Sequence, residues 1–416
     1  MNKLLHMNAK EVLKKHLEKL LSNCKINNGI VCFDDSTYKD IDKYIKELKK
    51  HKKAWMRDID LYRLLRKHIS EYLSERNEKT REISGNLKDI IGKKETESIC
   101  GTIISFIESI PREYFVFFEL PSAQKIGVNE ISLTDSISFV EKNYPYIITN
   151  LEEAYFNMLK KENMRMYVRI KVDGYADGTL ESNAIKKAYS KFKQVFLLAK
   201  LSGIIKRKPG LHLRFTTPQN HVINVTEPDT EQYAFPLPKI VSDYISKMGI
   251  DENILKPTEF EVLFETFENA ETPTLVDKIK ILKNRLQYPI KLLRTSDSDE
   301  STEPIKTAIE WAFDSLTNDN DTFAFIQACI GLESILGDED SKENITKTLA
   351  DRCAYLLGNS ISKRKDIREK FKDLYEVRSK LVHGRKASLD DEQRSLLKFA
   401  QNILDQIIWK EISYIE

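Results

Sequence analysis

The strongest constraint on this chain is the spacing of its apolar residues from residue 303 to the C-terminus. Apolar residues recur there at intervals of three and four, the period of helices that bury one face. Pro304 suits a first helical turn, and Gly337 and Gly358 stand where two of the segments end. Five helices joined by short loops predict a compact all-α bundle.

Two other patterns precede the bundle. Residues 1–98 carry stripes of leucine at helical spacing, so they are predicted to be helical. From residue 99 the chain has short alternating or wholly apolar runs, which are typical of strands. The predicted strands are Tyr114–Leu120, Arg165–Val172 and Leu211–Pro218, and a helix is expected at Ser182–Leu201.

Together these patterns predict an α+β protein in three parts. A helical basic region spans 1–98, a mixed α+β domain spans 99–300, and the all-α bundle spans 301–416. The polar, acidic segment Arg294–Pro304 is interpreted as the linker that leads into the bundle.

Composition and motifs exclude several classes of protein. None of the five cysteines is in CxxC spacing, so neither a disulfide framework nor a zinc site is indicated, and reduced cytosolic thiols fit best. The chain has no secretory leader pattern and no apolar run long enough for a membrane. A phosphate-binding GxxxxGK loop and a serine nucleophile elbow are absent, and His212 and His221 lack an acidic companion. We expect a soluble cytoplasmic protein with no membrane partner.

Charge is distributed unevenly although the net charge is only +2. Residues 1–98 contain 23 basic and 16 acidic residues, and Lys363–Lys386 contains 10 basic and 4 acidic residues. Such surfaces attract anionic polymers, although a solvated helix face has the same composition. The stretch Lys49–Arg57, basic around one tryptophan, has the same two interpretations.

One arginine is predicted to lie on the apolar face of the fourth bundle helix. Arg378 falls within a stripe formed by Ile367, Phe371, Leu374, Tyr375, Leu381 and Val382. Burying an unpaired guanidinium costs roughly several kcal/mol. The position of Arg378 therefore requires either an acidic partner or a function.

A histidine, His383, stands five positions after Arg378. On an ideal helix the side chains of Arg378 and His383 point about 140° apart. Gly384 offers one solution, because a left-handed glycine would leave His383 at a frayed helix end from which it can swing round. Alternatively, the pair meets its equivalents from a second copy across a two-fold axis.

This pair of residue types suits RNA cleavage. Attack of a 2′-hydroxyl on the neighbouring phosphodiester needs a group that moves protons and a cation that stabilises the phosphorane. Histidine titrates near neutral pH, and arginine matches phosphate oxygens with a planar fork. Ser379 is predicted either to orient the arginine or to contact the phosphate, and Lys380, Arg385 and Lys386 are predicted to bind the RNA backbone. This route requires no metal or other cofactor.

The segment from about Glu303 to Glu416 resembles a HEPN domain, most closely the Apea-like branch. The resemblance lies in FIQACIGLESILG, LADRCAYLLG and FKDLYEVRSKLVHG, and Arg378, Ser379 and His383 fill the arginine, polar and histidine positions of the family motif. It implies a metal-independent endoribonuclease whose site forms where two HEPN domains pair, as in toxins and anti-phage effectors of abortive infection. Glu333 occupies the acidic position of the second helix, either as a partner of Arg378 or as a buried structural acid.

The resemblance implies that His383 transfers protons and that Arg378 stabilises the phosphate. Transesterification would leave a 2′,3′-cyclic phosphate and a 5′-hydroxyl. The expected partners are RNA, a second copy of the chain and a phage-derived trigger sensed by residues 1–300. The alternative function is a non-catalytic HEPN interaction module that binds a protein or nucleotide partner, in which Arg378 pairs with Glu333 for structural reasons.

Overall fold

The computed structural model describes residues 5–28, 30–53, 55–76, 84–120, 129–142, 165–207, 222–226, 232–250, 275–337 and 345–415. The chain is α+β as predicted, with sheets in its first and middle parts and helices to the C-terminus. The predicted strand Leu211–Pro218 lies outside the described residues, together with His212 and His221. None of the described helices is long and apolar enough to cross a membrane.

The N-terminal region is helical with a small sheet. Its elements are α1 (Met7–Asn23), β1 (Lys25–Asn27), β2 (Ile30–Cys32), α2 (Asp35–Lys52), α3 (Asp58–Arg76), β3 (Gly85–Asn86), α4 (Leu87–Ile91) and α5 (Lys93–Ser109). The strands pair antiparallel in the order β2-β1-β3. The predicted leucine stripe of α1 is buried, and it packs with apolar residues of α2, α3 and α5 in one core. Leucine spacing therefore predicts this region well.

The middle of the chain alternates strands and helices. It contains β4 (Arg112–Glu119), β5 (Glu130–Ser132), β6 (Ile137–Lys142), β7 (Arg165–Gly174), α6 (Asn183–Leu201), β8 (Ile205–Arg207), β9 (Val222–Thr226), β10 (Gln232–Pro236), α7 (Lys239–Ser246), β11 (Met248–Ile250), α8 (Leu275–Arg285) and α9 (Gln287–Arg294). Six strands form a sheet in the order β10-β9-β4-β7-β6-β5, and β8 pairs with β11. The two described strands and the helix that the sequence predicts here are present within a few residues of their predicted limits.

The chain folds into two compact units, each assembled from separate segments. The first unit consists of Met1–Phe115, Lys171–Ala188 and Val225–Tyr233. The second consists of Val116–Ile170, Tyr189–Asn224 and Ala234–Glu416. The predicted limit at residue 98 falls inside α5, and the middle segment contributes to both units, whereas the predicted limit at residue 300 falls between α9 and the following helix.

The last five helices of the second unit are those predicted from the sequence. They are α10 (Glu303–Thr317), α11 (Asp321–Leu336), α12 (Ile345–Leu357), α13 (Ile361–Val382) and α14 (Arg394–Ile412). Asn320 caps α11 by accepting backbone N–H groups, and Ser360 caps α13 in the same way. Gly331 brings α11 close to α14, because a Cβ there would stand 2.7 Å from Leu404 Cδ2. Within the bundle, α13 packs against α11 and α12.

Part of α6 packs on the bundle within the second unit. The rings of Phe192 and Phe196 meet Phe313 of α10 edge to face, with centroids 6.2 and 5.7 Å apart. Lys200 of α6 donates to Asp405 of α14 at 2.6 Å. Burial raises the pKa of Asp405, and the nearby ammonium only partly offsets this effect. The aromatic packing and the Lys200–Asp405 ion pair therefore attach the C-terminal half of α6 to the bundle.

Candidate functional site

The predicted apolar face of α13 is largely buried, and Arg378 lies at its edge. The buried residues of the helix are Ile367, Phe371, Leu374, Tyr375, Val377 and Leu381. The side chain of Arg378 keeps 28% of its surface exposed, so the arginine is half-buried. Val382, predicted to lie on the buried face, is 48% exposed, because α13 ends at this residue and its last turn extends beyond the packed surface.

Arg378 is held by an acid from a different helix. Its Nη2 donates to the Glu333 carboxylate of α11 at 3.1 Å, and the Glu333 side chain is 30% exposed. Arg378 Nε is buried and has no hydrogen-bond partner among the described residues. Burial first, and then the Glu333 charge, raise the pKa of the Tyr375 hydroxyl, which therefore stays protonated at neutral pH. Glu333 is thus a half-exposed partner of the guanidinium.

Arg378 opens onto a cavity of about 400 Å³. The residues that line it are Glu333, Gly337, Ile345, Thr346, Leu349, Tyr375, Arg378 and Ser379. Three of the four predicted catalytic residues, Arg378, Ser379 and Glu333, therefore meet at one cavity between three helices. Thr346 and Tyr375 were not predicted as site residues. The spacing of Tyr375 three residues before Arg378 was a usable signal, whereas nothing in the sequence around Thr346 points to the site.

His383 is not among the residues that line this cavity. It is the C-cap residue that follows α13, and its backbone N–H donates to Ser379 O at 3.0 Å. Gly384 has φ +66°, which confirms the predicted left-handed glycine. The predicted frayed end is wrong, because Gly384 N–H and Arg385 N–H also bond to carbonyls of the last turn. The helix end is closed, and the exposed imidazole has no partner within the described chain.

The three predicted RNA-binding residues differ in how their charges are used. Lys380 pairs with Glu376 at 2.7 Å, and Lys386 pairs with Asp390 at 2.6 Å. Arg385 is exposed and forms no ion pair with any described residue. Both carboxylates are exposed to solvent, which weakens such pairs, so an incoming phosphate can compete with either carboxylate for its lysine.

The loop after His383 is tied to the start of α11. Leu389 N–H donates to Thr322 Oγ1 at 3.0 Å, and the Arg394 guanidinium pairs with Asp321 at 2.9 Å. These contacts hold the far end of the loop, while the Gly384 turn holds its near end. The segment that carries His383 and Arg385 is therefore anchored on both sides.

The described residues contain no group of three or more His, Cys, Asp or Glu side chains placed to hold a metal ion. Comparison with protein-family models, with curated proteins and with solved structures found no match for this chain. Any function must therefore be argued from the residues of the site and their geometry.

Proposed function

We propose that this chain is a metal-independent endoribonuclease of the HEPN type. It would cleave RNA by attack of a ribose 2′-hydroxyl on the adjacent phosphodiester. The observation that carries the proposal is the position of Arg378, a half-buried cation that lines a cavity of about 400 Å³ on a helix that ends in the exposed His383. A cavity of this size has room for a phosphate and its ribose.

Arg378 is suited to hold the phosphate. A guanidinium stays charged at all ordinary pH values and binds phosphate oxygens through two parallel N–H groups. Its contact with Glu333 uses Nη2, so the N–H groups of Nη1 are the donors left for a ligand, whereas the unpartnered Nε is buried. Glu333 orients the side chain, and the exposed hydroxyl of Ser379 is the next donor along the helix.

His383 is suited to transfer the proton. An exposed imidazole can serve as a general base or acid, because one ring nitrogen accepts a proton and the other donates one. Ideal helical geometry separates the two side chains by about 140°, and His383 does not line the cavity of Arg378, so we expect that a single copy does not present both to one phosphate. A homodimer that brings His383 of one copy to Arg378 of the other completes the site. The products would be a 2′,3′-cyclic phosphate and a 5′-hydroxyl.

The biological setting belongs to the same proposal. Arg385, Lys380 and Lys386 follow the site along the chain and attract the RNA backbone. Uncontrolled RNA cleavage is toxic, so the remaining parts of a cytoplasmic anti-phage effector would hold the nuclease inactive until a phage-derived trigger arrives. The middle strands and the N-terminal region are the parts available for that task.

The test compares the whole wild-type chain with Arg378→Ala and His383→Ala, incubated with total RNA in EDTA. Arg368→Ala is the matched control, because this exposed arginine lies on the same helix and pairs with Asp351. We expect wild type and Arg368→Ala to cleave RNA and to leave cyclic-phosphate ends, and the other two variants to be inactive. Cleavage by all four proteins would indicate a contaminant and count against the proposal.

A second candidate is a non-catalytic interaction module. The specific observation in its favour is the Arg378–Glu333 ion pair, which satisfies the arginine without any ligand. Expression in cells separates the two functions when a trigger is missing in vitro. Toxicity of wild type that disappears in His383→Ala supports the nuclease. If all variants are folded, inert and harmless to cells, the module is the better account.

A further inference from the structure

Helix α2 and the C-cap residue Lys53 that follows it carry a stripe of lysines along one face. The five residues follow one another at intervals of four and three, and all are exposed: Lys39, Lys43, Lys46, Lys50 and Lys53. With a rise of 1.5 Å per residue the stripe is about 21 Å long. The opposite face of the helix packs into the core of the first unit through residues such as Tyr44 and Leu48. The stripe therefore faces solvent along the whole helix.

Most of these lysines are not held in salt bridges. Lys50 pairs with Glu47 at 2.6 Å, and the charge of Lys43 acts on Asp40, but Lys39, Lys43, Lys46 and Lys53 form no ion pair with the described residues. Like charges three or four residues apart on a helix repel one another. The helix dipole favours cations only in the last turn, so it does not account for Lys39, Lys43 and Lys46. The stripe is complementary to an extended polyanion.

An aromatic cluster lies at the N-terminal end of the stripe. Tyr38 directly precedes Lys39 and is 46% exposed. Its ring is nearly parallel to that of Tyr62 on α3, with an interplanar angle of 2° and centroids 6.3 Å apart. Phe33 packs on Tyr62 at 4.9 Å. Tyr38 thus packs on aromatic neighbours while nearly half of its surface stays exposed at the N-terminal end of the stripe.

We infer that the lysine stripe of α2 and the Tyr38 ring bind single-stranded RNA in the first unit. The phosphates follow the lysines, and an unpaired base stacks on Tyr38, the combination used by proteins that bind single strands. A duplex has no free base for the ring, and in α2 the apolar face that a helix inserts into a membrane is buried in the core of the first unit. The choice of RNA over DNA rests on the proposed nuclease function, whereas the binding itself does not require cleavage.

The first test measures binding of a labelled single-stranded RNA of about 15 nucleotides to the whole chain carrying His383→Ala, so that the probe stays intact. The double variant Lys39→Glu/Lys46→Glu should weaken binding at least about tenfold and flatten the dependence of log Kd on log salt. Lys88→Glu/Lys94→Glu is the control, because it changes the charge equally at exposed positions of the same unit. Equal weakening by both variants would overturn the inference.

The second test addresses the ring and the competing partners. Tyr38→Leu should weaken binding of the single strand about fivefold or more and leave binding of duplex RNA unchanged. The same proteins are tested with vesicles containing phosphatidylserine. Loss of vesicle binding in the lysine variant with unchanged RNA binding would assign the stripe to membranes and refute our inference. If wild type binds RNA through the stripe but does not cleave it, the proposed nuclease function is refuted and the inference of RNA binding stands.

Discussion

Arg378 and Glu333 bind each other across two helices with 3.1 Å between the guanidinium and the carboxylate, and their side chains are almost equally exposed. The pair is therefore neither sealed in the core nor free on the surface. A buried pair would exclude a phosphate, and a fully solvated pair would not hold the guanidinium in one orientation. Half-exposure combines a fixed orientation with access from the cavity.

Replacing Glu333 by glutamine tests whether the acid positions the arginine. The amide can still accept a hydrogen bond but no longer attracts the guanidinium. We expect kcat for RNA cleavage to fall about tenfold while KM does not rise, because Arg378 remains available for the phosphate but is less well aligned. Steady-state kinetics on a labelled RNA checks this. A raised KM with an unchanged kcat would show that Glu333 has no positioning role.

The stability of the same pair is measured by a double-mutant cycle. Arg378→Gln, Glu333→Gln and the double variant should give a coupling energy of about 1 kcal/mol, since both groups are partly solvated. Urea unfolding supplies the four free energies. A coupling near zero would mean that the contact does not persist in solution.

Gly384 sets the end of the helix that carries His383. Its φ of +66° strains any residue with a Cβ, although a Cβ there would touch nothing within 4 Å. Gly384→Ala should therefore cost about 1 kcal/mol of stability, through the backbone alone, and reduce RNA cleavage by displacing His383. Gly384→Asn should be milder, because asparagine tolerates this conformation. Thermal unfolding and cleavage rates check both variants, and equal effects of Ala and Asn would contradict the backbone explanation.

Gly331 is predicted not to tolerate a larger side chain, here because of close packing and not because of its backbone conformation. A methyl group there would stand 2.7 Å from Leu404 Cδ2 and 3.3 Å from Trp311 Cβ, so α11 and α14 would have to move apart or repack. Gly331→Ala should destabilise the protein by about 1–2 kcal/mol. Gly101→Ala in α5 is the control: nothing lies within 4 Å, and the change should stabilise by up to about 1 kcal/mol. Denaturant unfolding distinguishes them, and a neutral Gly331→Ala would show that the contact is loose.

Asp405 should make the free energy of unfolding larger at acidic pH than at neutral pH. Burial raises its pKa in the folded protein above the ordinary value of 3.8. Below 3.8 the carboxyl is protonated in both folded and unfolded states, so its full contribution is present there. As the pH rises through the raised pKa, the buried group must ionise and the contribution is lost. The unfolding free energy of wild type minus that of Asp405→Asn should therefore fall with rising pH.

Glu376 provides a control of opposite sign. Its hydrogen bond with Lys380 lowers the pKa of this exposed carboxyl, so its contribution is present above the ordinary value of 4.5 and lost as the pH falls through the lowered pKa. The difference between wild type and Glu376→Gln should rise with pH. Urea unfolding across the acid range measures both differences, and slopes of the same sign would disprove the assignment for Asp405.

The features that the sequence predicts correctly are local ones. The apolar period of α13 and the left-handed Gly384 depend on residues a few positions apart, so periodicity and glycine placement suffice. Glu333 lies 45 residues before Arg378, and spacing alone left its role open between partner and structural acid. Thr346 joins the cavity only because α12 packs beside α13. Division of the middle segment between two units depends on pairing of distant strands, which local patterns do not encode.

The aromatic packing of α6 on α10 has a practical consequence for anyone who wishes to isolate the last five helices. A fragment starting near residue 301 would lose Phe192 and Phe196 and leave the Phe313 ring without its cover. Bare aromatic surface promotes self-association. Inactivity or aggregation of such a fragment would then reflect the exposed aromatic surface and not the loss of a regulatory domain. Every assay should therefore use the full chain.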